Sequence, residues 1–228
     1  VFGVVPVSER IVEAYIGEYA SGKSEIAVNR AVDLKKEGRH VTLVDLDLVE
    51  PFYTLRPIKR QLTETGIYVV AWETSETMGL GEAGSLIKPE MRWVLRRPGD
   101  IILDIGYGVE GAKVLNLIEG AADNKNLQVF VVLNIGRPMT DNVKDIVEYV
   151  KELGIVHGLI NNSHLGDDTS VDFVQQGAKV ITEAALVLGL PVIATYIDRK
   201  FEFEINSKMD IKGNPIRLLD RYMTNTFW

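Results

Sequence analysis

Gly17-Glu18-Tyr19-Ala20-Ser21-Gly22-Lys23-Ser24 is the stretch whose residue types and spacing can do chemistry, and it fits G-x-x-x-x-G-K-[ST] without mismatch. That is the pattern of a loop that wraps phosphates. A triphosphate needs several backbone N–H groups converging on its oxygens. Glycines let the chain curl that closely, and a helix starting behind the loop adds its N-terminal partial positive charge. On this reading residues 17 to 24, with Glu25 behind them, line the phosphates. Lys23 brings a mobile charge to the β- and γ-phosphates, and the Ser24 hydroxyl ligates Mg²⁺.

Two further stretches end in acids. His40-Val41-Thr42-Leu43-Val44-Asp45-Leu46-Asp47 is an apolar run closing in two carboxylates, and Asp100-Ile101-Ile102-Leu103-Asp104-Ile105-Gly106-Tyr107-Gly108 closes in an acid and two glycines. Both read as buried strands that deliver carboxylates to the edge of an α/β sheet where ligands bind. Asp104 then has the place of a Walker B acid that holds Mg²⁺ directly or through water, and Gly108 can bring a backbone N–H towards the γ-phosphate.

The elements that must position these residues follow from periodicity. Arg10 to Ile16 reads as a strand entering a buried sheet, and Ile26, Ala27, Ala31 and Leu34 recur at helical spacing up to a cap at Gly38. Glu50-Pro51 breaks the next strand. Helical pattern runs from Pro57 to Gly66, and Ile67 to Trp72 reads as a third strand. Residues 73–99 are irregular, with Gly79, Gly81 and Gly84 ahead of a helix from Pro89 or Glu90 to Arg97; such an insertion suits either a connection or a specificity element. Strands are expected at Gln128–Leu133, Ile155–Ile160 and Leu190–Ile197, with helices near Asp141–Leu153 and Ser170–Leu188. Pro215 to Met223 reads as a short amphipathic helix in a tail that packs on the domain through Phe227 and Trp228. Arg137, behind the Gln128–Leu133 strand, is either a charge stabiliser or a solvated loop residue. His164 is read as a surface residue.

The expected architecture is therefore α/β, three layers with a mostly parallel twisted sheet, in one domain over residues 1–228. A formal charge of −7 argues against an extensive nucleic-acid surface. No cysteine is present, so the chain builds no disulfide, thiolate nucleophile or sulfur-ligated cluster. No apolar run has the length of a membrane span, Val1 to Ser8 lacks the features of a secretory signal, and the balance suits a cytoplasmic protein.

Taken together, the phosphate loop, the Val44-Asp45-Leu46-Asp47 strand end, the Asp104 to Glu110 segment and Gly158-Leu-Ile-Asn-Asn-Ser resemble the MinD/ParA and nitrogenase-iron-protein group of P-loop ATPases, in the SIMIBI class. Val44 to Phe52 is most similar to bacterial members described only as CobQ/CobB/MinD/ParA nucleotide-binding proteins. The resemblance implies that ATP and Mg²⁺ are the cofactors and ATP/ADP the exchanging ligands. It makes Lys23 and Asp47 catalytic, Asp47 orienting the attacking water. Ser24, Asp47 and Asp104 become the metal set, Gly108 the switch glycine, Asn162 the adenine reader and Asp198 a second base contact. The guanine-reading Asn-Lys-x-Asp is absent at 161–164, which favours ATP over GTP. Glu18 stands where dimeric switches of the group carry a second lysine, so an ATP-sandwiched dimer is not expected and monomer or homodimer stays open. The implied function is slow Mg-dependent ATP hydrolysis driving a switch on an unknown protein partner. The rival readings are a small-molecule kinase or ligase of the dethiobiotin-synthetase or cobyrinate-amidating type, and a nucleotide-binding subunit without turnover.

Overall fold

The buried apolar runs become strands of one eight-stranded sheet in the order β3-β2-β4-β1-β5-β6-β7-β8. The computed structural model describes residues 9–48, 55–72 and 87–223. The readings made on Val1–Ser8, Glu50-Pro51-Phe52, Gly79, Gly81, Gly84, Phe227 and Trp228 fall outside them. The strands are β1 (Val12–Gly17), β2 (Val41–Leu46), β3 (Tyr68–Val70), β4 (Asp100–Ile105), β5 (Leu127–Leu133), β6 (Gly158–Asn161), β7 (Val192–Asp198) and β8 (Ile216–Leu219). Every neighbouring pair is parallel. Parallel neighbours need crossovers, and helices are the usual means.

Those helices cover both faces. Against one face pack α1 (Lys23–Lys36) and α2 (Lys59–Glu64), through Ile26, Ala27, Leu34 and Leu62 onto Tyr15, Leu43 and Ile102. The other face carries α3 (Pro89–Arg92), α5 (Val143–Glu152) and α6 (Val171–Leu188), through Met91, Ile146 and Ile181 onto Ile16, Leu46 and Leu103. One more helix, α4 (Gly108–Ala112), follows β4 directly. The result is the expected α/β/α layering. Because both faces are covered, the central strands read as unbroken apolar runs, and all six residues of β2 and β4 are buried. Truncating a fully buried side chain there, such as Leu103, costs roughly 2–5 kcal/mol.

Three expectations are corrected. Pro215–Met223 contains a strand, β8, paired with β7 from Thr195↔Ile216 to Asp198↔Leu219, where a helix was expected. Its apolar residues fit either period. Tertiary pairing decides: Leu219 packs on the α1 face while Ile216 and Leu218 join Ile197 and Phe201 on the other. The helix expected up to Arg97 ends at Arg92 and continues only as a 3-10 turn, Val94–Arg96. Strand β6 begins at Gly158 rather than Ile155, which is 79% exposed after Gly154 turns the chain at φ +88°.

Candidate nucleotide-binding site

Strand β1 ends at Gly17 and α1 begins at Lys23, so the loop between them lies at the C-terminal edge of the sheet. Its curl requires two left-handed residues. Gly22 has φ +82° and, unusually for a side-chain-bearing residue, Ala20 has φ +53°. Such a curl turns successive N–H groups towards one concavity. Close packing from outside holds the loop. A Cβ on Gly17 would stand 2.5 Å from the Val132 carbonyl, and one on Gly22 would stand 2.2 Å from Nδ2 of Asn162.

Three acids meet this loop from neighbouring strand ends. Asp45 and Asp104 are register partners in adjacent parallel strands, so both side chains leave the face covered by α1. Asp45 Oδ1 accepts from the Asp47 N–H at 3.2 Å and thereby shapes the turn that carries Asp47. Asp47 Oδ2 lies 3.9 Å from Lys23 Nζ, with both side chains only 8% exposed. Asp104 is sealed from solvent and neither carboxyl oxygen has a hydrogen-bond partner. Burial pushes its pKa well above the usual carboxylate range, with Asp45 and Asp47 acting the same way; Lys23 and the nearby Ser24 hydroxyl oppose the rise without cancelling it.

An orphaned buried carboxylate beside a serine hydroxyl fits a hard cation. Mg²⁺ takes oxygen ligands in octahedral array and commonly binds through one or two carboxylates plus phosphate oxygens and water. Among the described residues no group of three or more His, Cys, Asp or Glu forms a protein-only metal cage. Ser24, Asp104 and Asp47 supply the matching donor types.

The segment behind Asp104 closes over the same spot. Gly108 has φ +68°, and Gly111 returns so close to Gly106 that a Cβ there would meet its carbonyl at 2.0 Å. Tyr107 meets Tyr19 of the loop edge to face, centroids 5.6 Å apart, and Lys23 Nζ lies 6.0 Å from the Tyr107 ring. Glu18 turns back on its own loop, accepting from the Tyr19 N–H at 2.9 Å.

Loops after β5 and β6 brace the carbonyl side of the curl. Arg137 Nε donates to the Ala20 carbonyl at 3.1 Å, and Asn162 Nδ2 to the Ser21 carbonyl at 2.8 Å. Asn134 ties these two loops together through Gly136 and both backbone groups of His164. His164 is half-buried rather than at the surface. Burial and the adjacent guanidinium groups of Arg137 and Arg221 lower its pKa to about 4, against a hydrogen bond with the Ala20 backbone. Sequence reasoning passed over these braces. The rule that ligands gather at parallel-strand C-termini pointed to both loops, but it did not say that β5 lies beside β1 with β6 next beyond it.

Beside the loop is a cavity of about 80 Å³, lined among others by Gly22, Glu25, Asn162, Tyr196, Asp198 and Arg221. Asp198 reaches it from the end of β7, with Oδ1 already accepting from the Lys200 N–H. Its outer wall is the segment after β8. The Glu25 carboxylate accepts from the Tyr222 and Met223 N–H groups at 3.0 and 2.6 Å. Asn29 pairs with both backbone groups of Asp220 at 2.8 Å.

A parallel sheet with this loop between β1 and α1 defines the P-loop NTPase fold. Solved structures share it. The chain superposes on the cell division protein FtsY of Thermotoga maritima with a TM-score of 0.53 and 19% identity, covering 82% of this chain and 62% of that one. The 54 kDa signal recognition particle protein of Aeropyrum pernix, in complex with GDP, gives 0.51 and 20%, over 82% and 41%. FlhF complexed with GTP and Mg²⁺ gives 0.50 and 12%, over 81% and 64%. This chain thus spans less than two thirds of each of those chains. No family model and no curated protein sequence matches it.

Proposed function

We propose that the chain is a single nucleotide-binding domain of the MinD/ParA type that binds Mg·ATP and hydrolyses it slowly as a switch acting on a partner. The observation carrying this is the convergence of Lys23, Asp47 and the unpartnered Asp104 on a curled phosphate loop. Lys23 neutralises charge on the transferring phosphoryl group. Ser24 and Asp104 hold the magnesium, with Asp47 close enough to join them or to align a water in line with the leaving oxygen. Bound magnesium would supply Lewis-acid charge neutralisation to the phosphates. Gly108 and Tyr107 form the segment that responds to the terminal phosphate.

The preference for adenine rests on the residues at 161–164, Asn-Asn-Ser-His, which lack the guanine-reading signature. Asn162 spends one N–H on Ser21 and keeps its carbonyl oxygen and second N–H for a base edge. The neighbours FlhF and the 54 kDa particle protein carry guanine nucleotides, so the choice of base is a direct test. Glu18, folded onto Tyr19, supports a site complete within one chain.

Calorimetric titration with ATP and GTP, with and without Mg²⁺, tests the assignment. Lys23→Ala is expected to abolish binding; unchanged ATP affinity would refute it. Phosphate release without an added acceptor separates hydrolysis from transfer to a carboxylate substrate and from a silent binding subunit.

A further inference from the structure

The short helical stretch ahead of β4 carries chemistry that the nucleotide site does not use. In Arg92-Trp93-Val94-Leu95-Arg96-Arg97, Val94 and Leu95 turn inward and are buried, while Trp93 stays 38% exposed. Two guanidinium groups flank its ring, Arg96 at 3.9 Å and Arg92 at 5.4 Å from the centroid. Alongside, Arg97 lies 3.7 Å from the ring of Tyr68, itself 45% exposed on the edge strand β3. Exposed Trp, Tyr and Arg packed together are the residue types that dominate binding hot spots. They stand here as a cationic cluster on a chain of net charge −7.

We propose that this face docks an acidic segment of a partner protein, and that docking is coupled to the nucleotide site through Glu119. The proposal rests on the switch reading above and names the class of partner. The arginines already show the ligand they accept. Arg92 holds Glu119 at 3.7 Å, a long pair between exposed side chains that a better-placed carboxylate displaces at little cost. Arg97 holds Glu90 at 3.8 Å, where Glu90 also accepts from the Tyr68 hydroxyl. Arg96 has no ion pair among the described residues and offers the first contact. Single-stranded nucleic acid fits less well. It needs a bare aromatic face for stacking and a stripe of cations tracking phosphates, whereas guanidinium groups already cover Trp93 and the chain as a whole is acidic.

The coupling follows from where Glu119 sits. Its N–H donates to the Arg92 carbonyl at 2.8 Å while its carboxylate pairs with the Arg92 side chain. It ends the segment that starts at Gly108 behind Asp104 and runs through the 3-10 turn Lys113–Leu117. A partner carboxylate on Arg92 removes the side-chain hold on one end of that segment while the Glu119 backbone bond stays, and the terminal phosphate acts on the other end. Linkage makes the effect reciprocal.

The test is fluorescence anisotropy with a fluorescein-labelled oligoglutamate peptide carrying leucines, on the whole chain, without nucleotide and with Mg·ATP or Mg·ADP. Trp93→Ala and Arg96→Glu are expected to weaken binding roughly tenfold each. Glu119→Gln, which frees Arg92, should strengthen it severalfold, and nucleotide should change the affinity. Arg96 is on the surface, so Arg96→Glu is expected to retain the fold, which circular dichroism checks. An unchanged affinity in that variant overturns the docking site, as does tighter binding of oligothymidylate or of phosphatidylserine vesicles. Peptide binding that ignores nucleotide overturns the coupling. Calorimetry on the same samples reports nucleotide binding separately, so failure of the switch reading is told apart from failure of this one.

Discussion

The side-chain amide of Asn162 donates to the carbonyl of Ser21 at 2.8 Å, across 141 positions of sequence. It fixes the loop from the carbonyl side, opposite the face offered to phosphate. Asn162→Ala would leave the buried Ser21 carbonyl without that donor, at a cost of about 1–3 kcal/mol. If the folded loop alone bears that cost, nucleotide affinity falls roughly 5- to 150-fold. Calorimetry should show this in the dissociation constant, with little change in the melting temperature of the free protein.

Asp104 combines full burial with two unpartnered oxygens. Replacing it by Asn removes a charge that the apo protein must otherwise keep neutral, so thermal stability should be unchanged or higher. Magnesium should then cease to improve nucleotide binding. Equal magnesium dependence in the parent and Asp104→Asn would remove Asp104 from the metal set.

His164 gives a stability change with a defined sign. Its pKa falls from 6.5 to about 4 on folding, so between those values the unfolded chain binds the extra proton. Stability contributed by the neutral ring is therefore present above pH 6.5 and lost as pH drops towards 4. His164→Gln should flatten that part of the profile in denaturant titrations. A parent and variant whose profiles run parallel over the window would contradict the burial of a neutral imidazole.

Asn29 ties α1 to the strand end that walls the cavity proposed for the base, bonding both backbone groups of Asp220. Asn29→Ala should lower stability by about 1–3 kcal/mol and weaken ATP more than inorganic triphosphate, because the phosphate loop keeps its own braces. An equal loss for both ligands would place Asn29 in general folding rather than in the base wall.

What the sequence disclosed and what it hid divide by range of interaction. The loop at 17–24 and the acids Asp47 and Asp104 were legible because strand, turn and helix signals are local, and a strand tip is marked by the residues next to it. Arg137 and His164 were not, because their importance depends on β5 lying beside β1 with β6 next beyond it, and sheet order is not written in any one segment. The bonds from the Glu25 carboxylate to the N–H groups of Tyr222 and Met223 were hidden for the same reason, since they span almost the whole chain. The last strand was misread as helix because Ile216, Leu218, Leu219 and Tyr222 satisfy two periods at once. Only pairing with β7 chooses between them.

The cavity beside the loop is bounded by Gly22 at one side and by Leu219, Arg221 and Met223 at the other. The two walls thus come from distant parts of the chain, the loop wall being made well before the other. On the proposed reading, a nascent chain stopped before Leu219 would lack the wall that seats a base, and selectivity for a nucleoside would wait on the segment from Leu219 to Met223.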